Sequence, residues 1–252
     1  MSSSVIGSGA KLGEGVRYGE FCAIGDNVTI GKGCVLGNHV VIHEGTVIGD
    51  NVRIDDGAVI GKFPMRAANS AVTKDQKLEA ANIGSDCIIG THVVIYRGAS
   101  IGGRVLVADL STIRENVTVG DFTIIGRGAA IENICKIGRY CKLETNVYIT
   151  AYSELEDRVF VAPCAATSND NYVGRTEERF KHFKGVIVKK GGRIGVNATI
   201  LPGKTIGADG LVAAGALLTS DCPDGKIVAG VPGKVFRDVP EEQLLKNQGW
   251  ED

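Results

Sequence analysis

The chain has 252 residues and a net charge of −1, without the cationic excess typical of proteins that bind nucleic acids or membrane surfaces. Glycine is abundant, with 35 residues, roughly twice the usual share of about 7%. Aromatic residues make up only 6%, so the core must consist of small and branched aliphatic side chains. No apolar run reaches the length of a membrane span and no secretion signal opens the chain, so we expect neither.

A repeat of six residues begins near the N-terminus and organises nearly the whole chain. From Ile6 to Ile60 an aliphatic or aromatic residue recurs at every sixth position, ten times in unbroken register, and glycine usually follows it. The period returns for fourteen repeats from Ile83 to Val161 and for six from Val188 to Leu218. We call the recurring residue the anchor of its hexapeptide.

The period of six predicts short strands joined by tight turns, because a helical repeat of 3.6 residues does not divide it. The residue four places after each anchor is small or β-branched in the second block, which fits a second inward-facing position. Three strands make a triangular coil, so the 30 hexapeptides predict about ten coils. At ~4.8 Å per strand the solenoid would be roughly 48 Å long.

Cysteines recur at this fourth position, among them Cys22, Cys34, Cys87, Cys135 and Cys141. We interpret them as small packing residues and not as ligands or nucleophiles. The odd total and the absence of a Cys-x-x-Cys pair indicate reduced thiols, so a cytoplasmic location is expected.

Two excursions interrupt the repeat, at about 62–82 and about 167–187. Loops longer than about 12–15 residues are uncommon unless they are functional or disordered. In the first, Arg66 and Lys74 are candidates for binding nucleotide phosphates, against the alternative of a plain surface loop. In the second, Phe180 and Phe183 favour a docked loop over a solvated charged face. Because a regular solenoid wall offers few convergent polar groups, we expect the chemistry at these excursions and at subunit seams.

The ladder resembles that of the left-handed β-helix, or hexapeptide-repeat, acyltransferases. The third block, KKGGRIGVNATILPGKTIGADGLVAAGALLTSDCP followed by KIVAGVPGKV, is similar to the final coils of the coenzyme-A-dependent members. The resemblance implies an all-β, left-handed parallel β-helix, a homotrimer, and acetyl-CoA as co-substrate, its pantetheine arm along the outer wall between two subunits. The residues it implies for acetyl-CoA binding are Lys189, Lys190, Lys204, Ala213, Ala214, Gly215 and Lys234.

The segment FVAPCAATSNDNY resembles the nucleotide-sugar N-acetyltransferases, in which an Asn-Asp pair after a Phe-x-x-Pro coil opens the active-site loop. The resemblance implies an amino sugar linked to a nucleotide as acceptor, and a role in cell-surface polysaccharide biosynthesis. It departs after the pair, where the usual Pro-Arg is missing, and at Ala151, where several relatives carry glutamate. The expected substrate-binding residues from this segment are Asn171, Tyr172 and Arg175. Arg66 and Lys74 of the first excursion, proposed above for the nucleotide phosphates, complete the set.

His182 is our first candidate for the general base, because a neutral imidazole can take a proton from an attacking amine. Asp170 is the rival base or the group that binds the protonated amine, and Asn169 would orient the substrate or stabilise the oxyanion. Glu144 is a candidate at a subunit seam or an exposed turn carboxylate, and for Glu115 the exposed turn is favoured. The histidines on the coils are expected to be structural: His39, His43 and His92.

Three other functions have a connection to this pattern. Sugar O-acetylation by the same fold would need a strong base such as histidine. A non-enzymatic scaffold would leave the polar second excursion unexplained. Zinc-dependent carbonic anhydrases share this kind of solenoid and need three histidine ligands, but His39 and His43 are spaced differently from the ligand pair of that family, so no metal is expected.

The last segment, 236–252, predicts a short helical tail on a solenoid that spans 1–235. Asp238 is the predicted cap, Pro240 lies in the first turn, and Leu244 with Leu245 supplies an apolar face. We expect this tail to cover the last coil.

Overall fold

The structure is a computed structural model and describes residues 3–71 and 76–250. The described chain winds into a solenoid of very short parallel strands stacked in three sheets. Most strands have two residues. From the fourth strand to the last but one, the second residue is the buried anchor while the first faces outward, as Thr29 and Ile30 illustrate. No helix among the described residues is long and apolar enough to cross a membrane.

Sheet A contains eleven strands among the described residues. Its strands are β1 (Val5–Ile6), β4 (Ala23–Ile24), β7 (Val41–Ile42), β10 (Val59–Lys62), β13 (Val94–Tyr96), β16 (Thr112–Ile113), β19 (Ala130–Ile131), β22 (Tyr148–Ile149), β25 (Ala166–Thr167), β28 (Thr199–Ile200) and β31 (Leu217–Leu218).

Sheet B contains ten strands within the described ranges. Its strands are β2 (Lys11–Leu12), β5 (Thr29–Ile30), β8 (Val47–Ile48), β11 (Asn82–Ile83), β14 (Ser100–Ile101), β17 (Thr118–Val119), β20 (Lys136–Ile137), β23 (Glu154–Leu155), β26 (Ile187–Val188) and β29 (Thr205–Ile206).

Sheet C contains twelve strands in the part of the chain that the structure describes. Its strands are β3 (Arg17–Tyr18), β6 (Val35–Leu36), β9 (Arg53–Ile54), β12 (Ile88–Ile89), β15 (Leu106–Val107), β18 (Ile124–Ile125), β21 (Lys142–Leu143), β24 (Phe160–Val161), β27 (Arg193–Ile194), β30 (Leu211–Val212), β32 (Lys226–Ala229) and β33 (Lys234–Asp238).

Successive strands pass from sheet A to B to C, so a coil returns to the same sheet after 18 residues, as in the pairing of Ile113 with Ile131. The predicted all-β parallel helix is confirmed. The predicted number of about ten coils is slightly low, partly because Thr167 acts as an anchor that a search for apolar residues passes over. Thr167 is buried, and its Oγ1 accepts a hydrogen bond from the backbone N–H of Thr150 at 2.8 Å.

The core is a stack of anchors, and Ile95, Ile113 and Ile131 are each fully buried. The cysteines four places after an anchor are buried too, as their small volume predicted. Burial raises the pKa of Cys135 to about 12 and that of Cys141 to about 11, since a thiolate loses its hydration inside the solenoid. They pack and do not react.

The glycine that usually follows an anchor is explained by close approach of one coil to the next. A Cβ on Gly138 would lie 2.6 Å from the backbone nitrogen of Asp157 in the following coil. Any side chain at this position therefore requires the coils to adjust locally, so the positions without glycine are notable.

The two predicted excursions leave the solenoid after strands of sheet A. The first follows β10 and rejoins the coils at β11, and the second follows β25 and rejoins at β26. The second contains a 3-10 helix, η1 (Glu177–Lys181). The phenylalanine rings there pack on each other, with 5.9 Å between the centroids of Phe180 and Phe183.

The C-terminal segment differs from its prediction in form and place. Its helical part is divided into two 3-10 turns, η2 (Glu241–Gln243) and η3 (Leu245–Asn247). Asp238 does not cap them, because it belongs to β33 and forms an ion pair with Lys226. The end of sheet C is extended by β33 itself, which pairs antiparallel with β32. The tail instead lies along the outer wall, where Arg193 Nη1 donates to Gln243 Oε1 at 3.0 Å.

Candidate active site

Polar side chains converge on one corner of the solenoid, formed by the turns that follow the strands of sheet A. We call it the A–B corner, and name the B–C and C–A corners in the same way. In five successive coils of the A–B corner the residue after the anchor carries a polar side chain in place of glycine: Tyr96, Arg114, Glu132, Thr150 and Ser168. Because strands of neighbouring coils are ~4.8 Å apart, these side chains form a continuous stripe.

A buried charge cluster lies at the centre of this stripe. The guanidinium of Arg114 donates to both carboxylate oxygens of Glu115, at 2.9 Å from Nε and 3.1 Å from Nη2. Its Nη1 donates to Glu132 Oε2 of the next coil at 3.4 Å. The side chain of Glu115 is 1% exposed and that of Glu132 is 26% exposed. Two carboxylates thus share one guanidinium.

Burial and the two neighbouring charges together shift the pKa of Glu132. Burial raises the pKa of Glu132, Arg114 opposes that effect, and the charge of Glu115 adds to it, so the net direction is upward. A carboxyl group with a raised pKa is a better proton acceptor than an ordinary glutamate. Glu132 therefore has the environment of a general base.

A cavity of about 200 Å³ opens beside Glu132. Its lining comes from the wall and from both excursions: Ser70, Ala71, Glu132, Asn133, Tyr148, Thr150, Ala151 and Asn169. Ser70 and Ala71 belong to the first excursion and Asn169 to the second, so the two predicted loops meet over the polar corner. Polar groups from the wall and from both loops therefore line one cavity.

Asp170 organises the second excursion. Its carboxylate accepts hydrogen bonds from the backbone N–H of Tyr172 at 2.8 Å and of Gly174 at 2.9 Å, and it pairs with Arg179 at 2.9 Å. Desolvation works against the charged form, but these three donors hold the pKa of Asp170 below its ordinary value. The contacts give this carboxylate a role in shaping the loop.

His182 lies farther along the same excursion. Its Nε2 is 3.1 Å from Glu178 Oε1, and its ring stacks on Tyr172 with 5.8 Å between centroids. Asn171 and Arg175 are exposed nearby. Of these residues, none is part of the described lining of the cavity beside Glu132.

The first excursion is attached to the wall by Arg97. Its Nε donates to the carbonyl oxygen of Leu78 at 3.2 Å, and its Nη1 donates to that of Glu44 at 2.9 Å. The guanidinium also lies over the ring of Phe63, at 4.9 Å from the centroid. Arg66 is exposed on this loop, and Lys74 lies outside the described residues.

The residues expected to bind acetyl-CoA are distributed over the three corners. Lys204 lies on the A–B corner, half-buried and without an ion-pair partner among the described residues. Lys189 and Lys190 lie on the B–C corner, where Lys189 pairs with Glu156 at 2.8 Å. The C–A corner carries Ala213, Ala214 and Gly215, and Lys234 is exposed on β33. These residues do not come together within one chain.

The two candidate glutamates in turns, Glu144 and Glu115, have different environments. Glu144 is half-buried on the C–A corner, away from the cavity at the A–B corner. For Glu115 the exposed-turn interpretation is wrong, since this carboxylate is buried against Arg114. Glu115 can be buried because the guanidinium of Arg114 replaces the water that would otherwise hydrate its carboxylate.

The sequence interpretation passed over Glu132 and Arg114. The sequence does carry a signal for them. At intervals of 18 residues on one corner, the position after the anchor has a polar side chain where the repeat usually has glycine. Among the described residues, no group of three or more His, Cys, Asp or Glu side chains is arranged to hold a metal ion.

Comparison with known proteins agrees with the repeat. A family model described as bacterial transferase hexapeptide (six repeats) matches residues 27–62. Residues 27–62 thus carry the hexapeptide repeat that this model describes. A 2,3,4,5-tetrahydropyridine-2,6-dicarboxylate N-acetyltransferase of Staphylococcus aureus is 44% identical over 63 residues, 25% of this chain and 26% of the relative. The match thus spans about a quarter of the length of this curated relative.

Solved structures share the fold of this hexapeptide-repeat protein along its length. The Arabidopsis UDP-N-acetylglucosamine acyltransferase is 20% identical over 98% of this chain and 76% of its own, with a TM-score of 0.65. The enzyme of that name from Francisella novicida is 22% identical over 100% of this chain and 74% of its own, with a TM-score of 0.52. At these identities the likeness establishes the solenoid fold.

Proposed function

We propose that this hexapeptide-repeat protein is an acyl-CoA-dependent N-acetyltransferase that acts on the amine of a nucleotide-linked amino sugar. The Staphylococcus aureus relative that matches part of this chain is an N-acetyltransferase. The two solved structures that share the fold of this chain are UDP-N-acetylglucosamine acyltransferases. These likenesses support acyl transfer as the reaction class. The choice of an amine as acceptor has separate support.

The observation that carries the proposal is that two carboxylates beside the cavity share one guanidinium. Arg114 balances one of the two carboxylates, and its contacts to Glu115 are shorter than its contact to Glu132. The cluster therefore retains one negative charge at the edge of the cavity. A substrate ammonium group would balance that charge, whereas a hydroxyl group would not.

Glu132 then provides the base. It accepts a proton from the bound ammonium group, and the free amine attacks the thioester carbonyl carbon of the acyl-CoA. The C–S bond breaks as the amide forms, and the proton held by Glu132 passes to the departing thiolate. The regenerated carboxylate then accepts the second proton from the amide nitrogen and releases it to solvent. An amine needs only modest base assistance, so a carboxylate with a raised pKa suffices. The side-chain amides of Asn133 and Asn169 line the cavity and are the candidates to stabilise the oxyanion.

The residues expected from the second excursion have supporting parts in this proposal. Asp170 holds the loop that presents Asn169, and His182 would be the base if the acceptor were a hydroxyl group. Tyr172, Asn171 and Arg175 would contact the sugar nucleotide from the same loop, and Arg66 from the other.

A homotrimer in the cytoplasm remains the proposed form. The expected acetyl-CoA residues lie on different corners of one subunit, and a seam between subunits would bring two corners together. Glu144 on the C–A corner would then face the seam.

The test is coenzyme A release from acetyl-CoA with UDP- and dTDP-linked amino sugars and their matched hydroxy sugars. We expect release with an amino sugar and a loss of about 100-fold in kcat for Glu132→Gln, the lower end of the usual contribution of a general base. Glu154→Gln is the matched control, since Glu154 is an exposed glutamate on sheet B. Release with hydroxy sugars alone would replace the proposal by O-acetylation, and equal rates for both variants would remove Glu132 from it.

A further inference from the structure

The described lining of the cavity beside Glu132 contains one aromatic side chain, that of Tyr148. Tyr148 begins β22 of sheet A and occupies the outward-facing position of that strand, since Ile149 is the buried anchor. Although its ring is large, Tyr148 is 41% exposed. The ring therefore offers an apolar surface to a molecule bound in the cavity.

The strands on either side of Tyr148 do not cover its ring. Its register partners in the preceding and following coils are Ala130 and Ala166, whose side chains are single methyl groups. Outward-facing residues of successive coils stand ~4.8 Å apart, a spacing at which two rings can stack. Phe122 and Tyr140 do so on the B–C corner, with 4.8 Å between centroids and 7° between planes. Beside Tyr148 the wall supplies no such ring, so a disc-shaped ligand can take that place.

The ring of Tyr148 lies within reach of Glu132. Its register partner Ala130 precedes Glu132 by two residues, so the two positions differ by one strand spacing and two residues along the coil. At ~4.8 Å per strand and ~3.3 Å per residue, the Cα atoms of Tyr148 and Glu132 are about 8 Å apart. Burial raises the pKa of Tyr148 and the charge of Glu132 raises it further, in agreement with this closeness. One sugar ring can rest on the phenol and present an amine substituent to the carboxylate.

A pyranose ring has two kinds of surface that match these two side chains. Its hydroxyl and amine substituents lie around the edge of the ring, whereas its faces carry C–H groups. Such C–H groups pack on the face of an aromatic ring, which carries partial negative charge, while the edge remains free for hydrogen bonds and ion pairs. The cavity offers a phenol ring from the strand and a carboxylate from the corner. An open-chain amine has no face that would use the phenol ring.

We propose that Tyr148 is a specificity-determining residue of the acceptor cavity, and that its ring supports the C–H face of a pyranose whose amine lies at Glu132. The inference rests on the proposed function and narrows it. It requires the amine to be carried on a sugar ring that has one face free of axial substituents. Stacking acts on the bound sugar before and during acyl transfer alike, so it lowers KM and leaves kcat unchanged.

Tyr148→Ala and Tyr148→Phe separate the ring from its hydroxyl group. Coenzyme A release is measured against the concentration of the UDP- and dTDP-linked amino sugars at saturating acetyl-CoA. We expect Tyr148→Ala to raise the KM for the amino sugar about tenfold or more with kcat within about threefold of the wild type, whereas Tyr148→Phe keeps both constants. Phe160→Ala is the matched control, because Phe160 occupies the same outward position of β24 on sheet C and is 37% exposed.

Saturation-transfer NMR with the same amino sugars, in the absence of acetyl-CoA, reports on binding alone. When the aromatic protons of the protein are irradiated, we expect transfer to the C–H protons of the sugar in the wild type and in Tyr148→Phe. Tyr148→Ala should lose that transfer. Its absence in the wild type would overturn the proposal, even if Tyr148→Ala did not fold.

The kinetic outcomes distinguish this inference from the proposed function. Turnover of an amino sugar with an unchanged KM in Tyr148→Ala would overturn the inference and leave the proposed function in place. A fall in kcat for Tyr148→Phe would also overturn it, since the hydroxyl group and not the ring would then be the active part. No coenzyme A release with any amino sugar would overturn the proposed function and the inference with it.

Discussion

Arg114 Nη1 lies 3.4 Å from Glu132 Oε2, across the step between two coils, while the same guanidinium binds Glu115 more closely. The two glutamates thus have unequal shares of one cation. Glu115 is buried with the closer contact, and Glu132 lies beside a cavity with the longer one.

Replacing Arg114 by alanine should lower the free energy of unfolding by about 3–5 kcal/mol, because Glu115 would remain buried without its counter-charge. Urea denaturation measures the change. The control is Arg104→Ala, whose exposed side chain is 3.8 Å from Asp86 and should contribute about 1 kcal/mol or less. Similar losses in both variants would mean that Glu115 does not need Arg114.

Glu132 should make the folded chain less stable as the pH rises above its ordinary pKa of 4.5. Burial raises the folded pKa, Arg114 opposes it and Glu115 adds to it, so between the ordinary and the raised value the folded chain holds a proton that the unfolded chain has released. Rising pH in this window therefore favours unfolding. Urea denaturation of the wild type and of Glu132→Gln from about pH 4 to about pH 8 should shift progressively in favour of the variant. A constant difference would contradict the raised pKa.

Asp170→Asn should loosen the second excursion, because the amide cannot replace the carboxylate as partner of Arg179 and acceptor of two N–H groups. Faster tryptic cleavage at Arg175 and Lys181 under native conditions is the expected result. Glu177→Gln, at an exposed residue of η1, is the control. Unchanged cleavage together with lost turnover would instead favour Asp170 as the catalytic base.

Alkylation should distinguish Cys164 from the other cysteines. Cys164 is exposed and the remaining six are buried. Iodoacetamide should therefore modify one thiol per native chain and all seven after denaturation, as counted by mass spectrometry. Rapid native labelling of Cys135, whose pKa burial raises to about 12, would show that the coils open readily.

Ile131→Ala should lower the free energy of unfolding by about 2–5 kcal/mol, since it removes a fully buried anchor and leaves a cavity between coils. Ile134→Ala, one turn later at a residue 41% exposed, should cost less than about 1 kcal/mol. Thermal unfolding of both variants gives the comparison. Equal effects would be inconsistent with the assignment of Ile131 as an inward-facing anchor.

The spacing of six by itself determined the solenoid. It identifies the inward-facing residues, because a strand alternates its side chains and each coil repeats the choice, and so it placed the anchors and Cys135 correctly. The two excursions were equally visible as breaks in the period. Thr167 was passed over as an anchor because its inward-facing side chain is polar and pairs with backbone groups instead of apolar neighbours.

Only the tertiary structure decided the candidate site. Arg114 and Glu132 are 18 residues apart, and they meet because three strands and their turns bring the chain back by one strand spacing. Which loop residues reach the cavity, and that the tail turns back along the wall to place Trp250 beside Arg158, depend on packing among distant segments. The six-residue repeat carries no information about such contacts. It describes the coils of the solenoid, and not how the excursions and the tail pack against them.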